Sequence, residues 1–279
     1  MRFHKAAVLS IIQSAAAFSS YTPTSFQHSA SLLSSSKQNP KQTRLMCGLI
    51  AAIDDVWSSG SGDESSEIPI LQNELLLEQT TDILYHRGPD GMTCYSGNVG
   101  DARYAMGHTR LAIVDPENRA ADMPFQLEFD EKKIKLAANG EIYNHLSIYD
   151  ELKADGWKHD RISGSDCEVI AHSFAKYGGP ATAAKLDGMF AFVVFEESSD
   201  GVKAFAARDP VGIKPLYLGK ALDGKGDKAS GYVFASELKA LVNHVVPETV
   251  KAIPAGHYWS PEEGLVCYYN PDWLRKVRE

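Results

Sequence analysis

The first 46 residues contain no acidic side chain at all, only Arg2, Lys5, Lys37, Lys41 and Arg44 as charges, together with ten serines and a modest apolar patch. That composition is unsuited to a packed domain and fits a targeting segment. The rest of the sequence is short of the opposite sign. The whole chain has 28 Lys+Arg against 36 Asp+Glu, a net −8; without the five basic groups of the first 46 residues the balance is 23 − 36 = −13. An acidic body excludes a nucleic-acid groove and an anionic-membrane patch, since both need clustered Lys and Arg. Cysteine is sparse as well. Cys47, Cys94, Cys167 and Cys267 are far apart, without the two-residue spacing of a structural zinc or redox pair, so no metal site and no disulfide framework is expected. Runs approaching the ~18 apolar residues of a spanning helix are absent too. What remains is an ordinary globular composition, 44% hydrophobic and 10% aromatic, suited to small-molecule chemistry.

Two readings of the first 46 residues stand. Small residues at Ala15, Ala16 and Ala17 before Phe18 suit a cleavable leader, which places the protein in a plastid or another organelle. Translation starting at Met46 instead makes it cytoplasmic. The folded body begins at Cys47, and a Ser/Gly/Asp/Glu stretch from Ser58 to Glu67 reads as a solvated linker loop. Periodicity predicts helices over Leu71–Leu84, Leu146–Leu152, Asp166–Tyr177 and Ser236–Val242. Strands are predicted over Cys47–Ile53, Tyr104–Val114, Lys133–Ala138, Phe190–Phe195, Val202–Ala206 and Tyr232–Ala235, several of them apolar on both faces and so buried between layers.

Cys47 is the residue with the most chemical promise. Removal of Met46 would give it a free α-amine of pKa about 7.7–8.0, able to take a proton from a thiol of pKa near 8.5 without a histidine. Gly48 beside it would leave room for a substrate. Taken alone, a cysteine at a strand start is more often a small packing residue. Arg110 could equally be a surface charge, Asp166 the N-cap of its helix, and Asn139-Gly140 a hairpin turn.

The combination outweighs these separate readings. Cys47-Gly48-Leu49-Ile50, His86-Arg87-Gly88-Pro89-Asp90-Gly91, Gly107-His108-Thr109-Arg110-Leu111-Ala112-Ile113-Val114-Asp115 and Asn139-Gly140-Glu141-Ile142-Tyr143-Asn144-His145 occur in order. Ser165-Asp166-Cys167-Glu168, Leu186-Asp187-Gly188-Met189-Phe190, Ala207-Arg208-Asp209-Pro210-Val211-Gly212-Ile213 and Phe234-Ala235-Ser236-Glu237-Leu238 follow. Together these blocks resemble the glutaminase domain of asparagine synthetase, a class II glutamine amidotransferase of the N-terminal-nucleophile hydrolase fold.

The resemblance implies an α+β fold, a four-layer αββα sandwich of two mainly antiparallel sheets covered by helices, spanning residues 47–273, with 274–279 opening a linker. It implies that Cys47 attacks the side-chain amide of glutamine while Asn139 and Gly140 hold the developing oxyanion. Arg110 would grip the substrate α-carboxylate, Glu141 and Asp166 would face its α-ammonium, and the backbone of Leu111, Ala112, Ile113 and Val114 would line the pocket. No cofactor is implied in this domain. ATP and Mg²⁺ belong to a C-terminal synthetase domain, which amidates aspartate and is expected in cis or in trans because it lies outside these 279 residues. Two alternatives are kept: a non-catalytic glutamine-binding or regulatory module, and another class II amidotransferase such as a glucosamine-phosphate synthase. His86, Arg87 and the turn after them are left without a role, and Cys94, Cys167 and Cys267 are read as packing residues.

Overall fold

The structure is a computed structural model and describes residues 46–54, 70, 73–199, 201–222 and 229–272. The expected leader up to residue 45, the Ser58–Glu67 linker loop and the segment 274–279 lie outside the described residues.

Strands alternate their side chains between two faces, so a strand buried on both must be apolar throughout. β1 (Gly48–Ile53) has this pattern and every residue in it is buried. Leu49, Ala51 and Ile53 point into a core shared with Phe195, Phe234 and Trp259. Ile50 and Ala52 point the other way, against Leu77 and Leu84. Burying such an aliphatic side chain contributes about 1.5–3 kcal/mol, which makes β1 a well-anchored support for the cysteine preceding it.

Around β1 the chain builds β2 (Gly91–Val99), β3 (Ala102–Arg110), β8 (Tyr217–Leu222), β9 (Ala229–Ala235) and β10 (Lys251–Ala252), in the sheet order β10-β8-β9-β1-β3-β2. The second sheet runs β12 (Gly264–Cys267), β11 (His257–Ser260), β7 (Gly201–Arg208), β6 (Gly188–Ser198), β5 (Lys132–Ile142), β4 (Phe125–Phe129). All pairings of named strands are antiparallel. Helix α1 (Glu74–Asp82) covers the first sheet, with Asn73 accepting from Leu76 N–H as its N-cap. Helices α2 (His145–Ala154), α3 (Glu168–Tyr177) and α4 (Gly179–Lys185) cover the second, through a core containing Leu152, Ile170, Phe174 and Phe192. The layers are therefore α, β, β, α, the predicted sandwich.

Two local expectations change, and two of the separate readings already outweighed by the combination fall away. The strand predicted over Tyr104–Val114 stops at Arg110, because the Arg110 guanidinium folds the following backbone around itself: Nη2 donates to the carbonyls of Val114 (3.1 Å) and Asp115 (2.7 Å). The Ser236–Val242 helix is only a 3₁₀ turn at Leu238–Ala240, and Ser236 instead receives the Leu49 amide on its hydroxyl. Asp166 does not cap α3 with its side chain; the cap position is Cys167, and the Asp166 carboxylate accepts from Ile142 N–H at 2.5 Å. Asn139-Gly140 lies inside β5, not in a hairpin turn.

Candidate active site

Cys47 sits where β1 leaves the sheet, at the mouth of a cavity between the two sheets' ends. Its Sγ accepts from Leu111 N–H at 3.3 Å, and its carbonyl accepts from Arg87 Nε at 3.0 Å. Burial pushes the Cys47 thiol above its ordinary value, while the Leu111 amide and the cations Lys214, Arg110 and Arg87 pull it down. Gly48 is needed for a different reason than room for a substrate. A Cβ there would come within 2.7 Å of Thr109 Oγ1 and 2.8 Å of Leu84 Cβ, so the absent side chain serves close packing behind the site.

The antiparallel register of β5 and β6 decides which amides face the cavity. Gly140 is opposite Phe190, and Tyr143 N–H donates to Asp187 O three residues on. Hydrogen-bonded and open pairs alternate along such a ladder. Gly140 and Phe190 are thus an open pair whose polar groups turn outward, and Phe190 O accordingly takes Asp209 N–H. The β4 ladder ends at Leu136, so among the described residues no strand pairs with the outward Gly140 N–H, and Gly140 lines the cavity. A side chain at 140 would meet Met189 O at 2.3 Å. The neighbours of the Asn139 amide set its orientation: its NH₂ donates to Cys47 O and its oxygen accepts from Arg87 Nη2, each at 3.2 Å. One amide hydrogen of Asn139 remains for a ligand.

The same cavity is lined by Arg110, Leu111, Ile113, Val114, Asn139, Gly140, Glu141, Asp166 and Cys47, which the sequence singled out, and also by Met46, Cys167 and Lys214. Ala112 is not in that wall; its N–H donates to Asp90 Oδ2 at 2.9 Å. Arg110 is 6% exposed and heavily engaged, with Nη1 donating to Asp122 Oδ1 (2.6 Å) and Asn118 O (3.3 Å) besides the two carbonyls above. Among the described residues only its Nε–H finds no acceptor. Asp166 keeps its second oxygen for the cavity, and no described residue hydrogen-bonds the Glu141 side chain. Two carboxylates and a guanidinium thus belong to the lining of one pocket.

Arg87, left without a role by the sequence, organises the centre: besides Cys47 O and Asn139 it donates to Glu237 Oε1 at 2.8 Å. His86 turns away to the exposed side of the same Glu237. Behind Asp166 is a clasp built around the fully buried Glu168 and His172. Trp157 Nε1 donates to His172 Nδ1 (3.0 Å), so His172 Nε2 carries the hydrogen donated to Glu168 Oε1 (3.2 Å). Glu168 also accepts from Ile162 N–H (2.7 Å) and from the N–H and hydroxyl of Ser163 (2.9 and 2.5 Å), which fixes the loop carrying Asp166. Burial works to raise the Glu168 pKa, but these bonds outweigh it and hold the carboxyl below its ordinary value.

A cysteine sulfur just ahead of a strand, with amide N–H groups and charged side chains lining the same pocket, is an arrangement suited to acyl-transfer chemistry. Residues 46–263 match the glutamine amidotransferase domain family, and the chain belongs to it. It is 39% identical over 236 residues to asparagine synthetase [glutamine-hydrolyzing] 3 of Arabidopsis thaliana, covering 83% of this chain and 34% of that protein. To the probable asparagine synthetase [glutamine-hydrolyzing] of Schizosaccharomyces pombe it is 42% identical over 191 residues, 68% of this chain and 31% of the relative. The chain thus spans about a third of the length of these relatives. In fold it is similar to the glutamine phosphoribosylpyrophosphate amidotransferase of Bacillus subtilis, with a TM-score of 0.55 at 22% identity over 79% of this chain and 48% of that one.

Proposed function

We propose that this domain hydrolyses glutamine to glutamate and ammonia, with Cys47 as nucleophile once its α-amine is free. The observation that carries the reading is the convergence of the Cys47 sulfur, the outward Gly140 N–H and the spare Asn139 amide hydrogen on one cavity. The neutral α-amine would take the thiol proton, and the thiolate would attack the side-chain carbonyl of glutamine. The carbonyl oxygen, now negative, would receive hydrogen bonds from Asn139 and Gly140; each such donor is worth about 2.7–4 kcal/mol in related acyl-transfer sites. The protonated amine would then return its proton to the leaving nitrogen as the C–N bond breaks, giving ammonia and a thioester. Water, deprotonated by the same amine, would release glutamate. Glu141 and Asp166 would hold the substrate ammonium, and the Arg110 Nε–H its carboxylate, one bond where a full guanidinium fork would give two. The chemistry asks for no metal or cofactor within this domain.

Ammonia released at Cys47 would serve a synthetase domain using ATP and Mg²⁺ to amidate aspartate, joined to this domain in cis or in trans. Support comes from the share of the asparagine synthetase relatives that the chain covers. An apolar side chain exposed at the cavity agrees with it, Ile113 at 64%, since a covering domain would remove it from water. The experiment is an assay of glutamate and ammonia release by protein beginning at Cys47. Equal amounts of the two products are expected, and none from Cys47→Ala protein shown folded by circular dichroism. Undiminished release by Cys47→Ala would sink the assignment.

A further inference from the structure

One side chain in the cavity wall has no part in the steps above. Lys214 is 4% exposed, yet it lines the cavity with Cys47 and Glu141. The turn that delivers it is tightly fixed. Asp209 Oδ1 accepts from the amides of Val211 (3.1 Å), Gly212 (2.6 Å) and Ile213 (3.0 Å), and Oδ2 accepts from Lys214 N–H (3.0 Å). Arg208 closes the same turn from the other side, donating from Nε to Lys214 O (2.7 Å), from Nη2 to Gly212 O (2.7 Å) and from Nη1 to Ile253 O (2.8 Å). Among the described residues the Lys214 ammonium itself meets no hydrogen-bond acceptor. The side chain is largely buried with Glu141 and Cys47 as the charges that support it, so a rigid turn that keeps it there offers a cation to an anion arising in the cavity.

We infer that Lys214 is the electrostatic partner of Cys47: its ammonium, fixed in the wall that also carries the sulfur, stabilises the thiolate and so raises the reactive fraction near neutral pH. Charged and titratable groups face Cys47 from every side: Arg87 before β2, Arg110 at the end of β3, Glu141 in β5, Asp166 and Cys167 before α3, and Lys214 after β7. The guanidiniums are already matched. Arg87 is bound to Glu237, Cys47 O and Asn139, and Arg110 to Asp122 and three carbonyls. Lys214 is the cation of the three that retains its capacity, and it also exerts the largest downward pull of the three on the thiol. Burial lowers the ammonium's own pKa, with Glu141 and Cys47 supporting the charge. A substrate ammonium pairing with Glu141 would free Lys214 to act on the sulfur. The inference depends on the reading of Cys47 as the nucleophile, but its test needs no glutamine.

The test is the rate of Cys47 alkylation by iodoacetamide between pH 5 and 10, followed by peptide mass, in protein beginning at Cys47. Lys214→Met is expected to raise the apparent pKa of alkylation by about one unit and to slow the reaction at pH 7 about tenfold. Lys214→Arg should stay near the parent, and Lys214→Gln should behave as the Met variant if that one melts early. An unmoved alkylation profile in folded Lys214→Met or Lys214→Gln protein overturns the inference. So does a rise in KM for glutamine with the profile unmoved, which would make Lys214 a carboxylate holder. A shifted profile in protein that releases no ammonia would uphold the pairing and defeat the glutaminase reading.

Discussion

Arg87 donates from Nε to the carbonyl oxygen of Cys47 at 3.0 Å and with the same guanidinium fixes the Asn139 amide that faces the nucleophile. One planar fork thus sets both the strand end and the oxyanion donor. A lysine cannot replace it, because a single ammonium on a flexible stem does not span three acceptors in fixed directions. Arg87→Lys is expected to lose about 1.5–3 kcal/mol of hydrogen bonding to this centre. Steady-state glutaminase kinetics should register it as a fall in kcat of tenfold or more with KM within a few-fold; an unchanged kcat would refute the link to Asn139.

Substrate grip and transition-state stabilisation should separate by mutation. Asp166→Asn keeps an oxygen for Ile142 N–H but removes the charge offered to the substrate ammonium, so KM for glutamine should rise well over tenfold with little change in kcat. Asn139→Ala should act oppositely, lowering kcat by about 10²–10³. If Asn139→Ala altered KM alone, its oxyanion role would be wrong.

Met46 lines the cavity that glutamine would enter. While it is attached, the nitrogen of Cys47 is an amide without a basic lone pair, and part of the pocket is filled. Protein starting at Met46 in a host that trims Met before small residues should therefore be active, and the full 279-residue chain with cleavage blocked should not. Each N-terminus is confirmed by mass before the assays are compared. Equal rates from both forms would return Cys47 to a packing role.

His108 bridges the sheets beside the site. Its Nε2 donates to Ala138 O at 3.0 Å, and its buried Nδ1 has no partner among the described residues. Burial pushes its pKa down to about 4, against the bond to Ala138 and helped by Arg110. The folded protein therefore refuses a proton that the unfolded chain accepts below about 6.5. The sign follows: stability contributed by neutral His108 is complete above pH 6.5 and falls by about 3 kcal/mol as the pH drops to 4. Urea unfolding at pH 7, 5.5 and 4.5 should show this slope, flattened in His108→Gln. A slope that survives the substitution would assign it to another group.

The order of chemistry along the chain was readable because local patterns determine it. Leu49 to Ile53 reads as a strand buried on two faces since nothing else tolerates that run, and Cys47 stands out as the residue just before it. The four-layer arrangement and the members of the pocket followed from the motif blocks, with Ala112 alone left outside the cavity wall. Other features depend on residues far apart in sequence. β3 ends at Arg110 because that guanidinium finds carbonyls and Asp122 in space, which no period of hydrophobic residues encodes. Ser236 leaves the expected helix because its hydroxyl meets Leu49 of β1. The role of Arg87 needs Cys47, Asn139 and Glu237 to come together from three elements. Lys214 reads as an ordinary loop cation until the Asp209 nest and the second sheet bury it. Sequence by itself singled out Cys47 and, through the family that its motif order resembles, the layers. Only the tertiary structure decided which charges lose their water beside the sulfur, because desolvation is a property of the assembled fold.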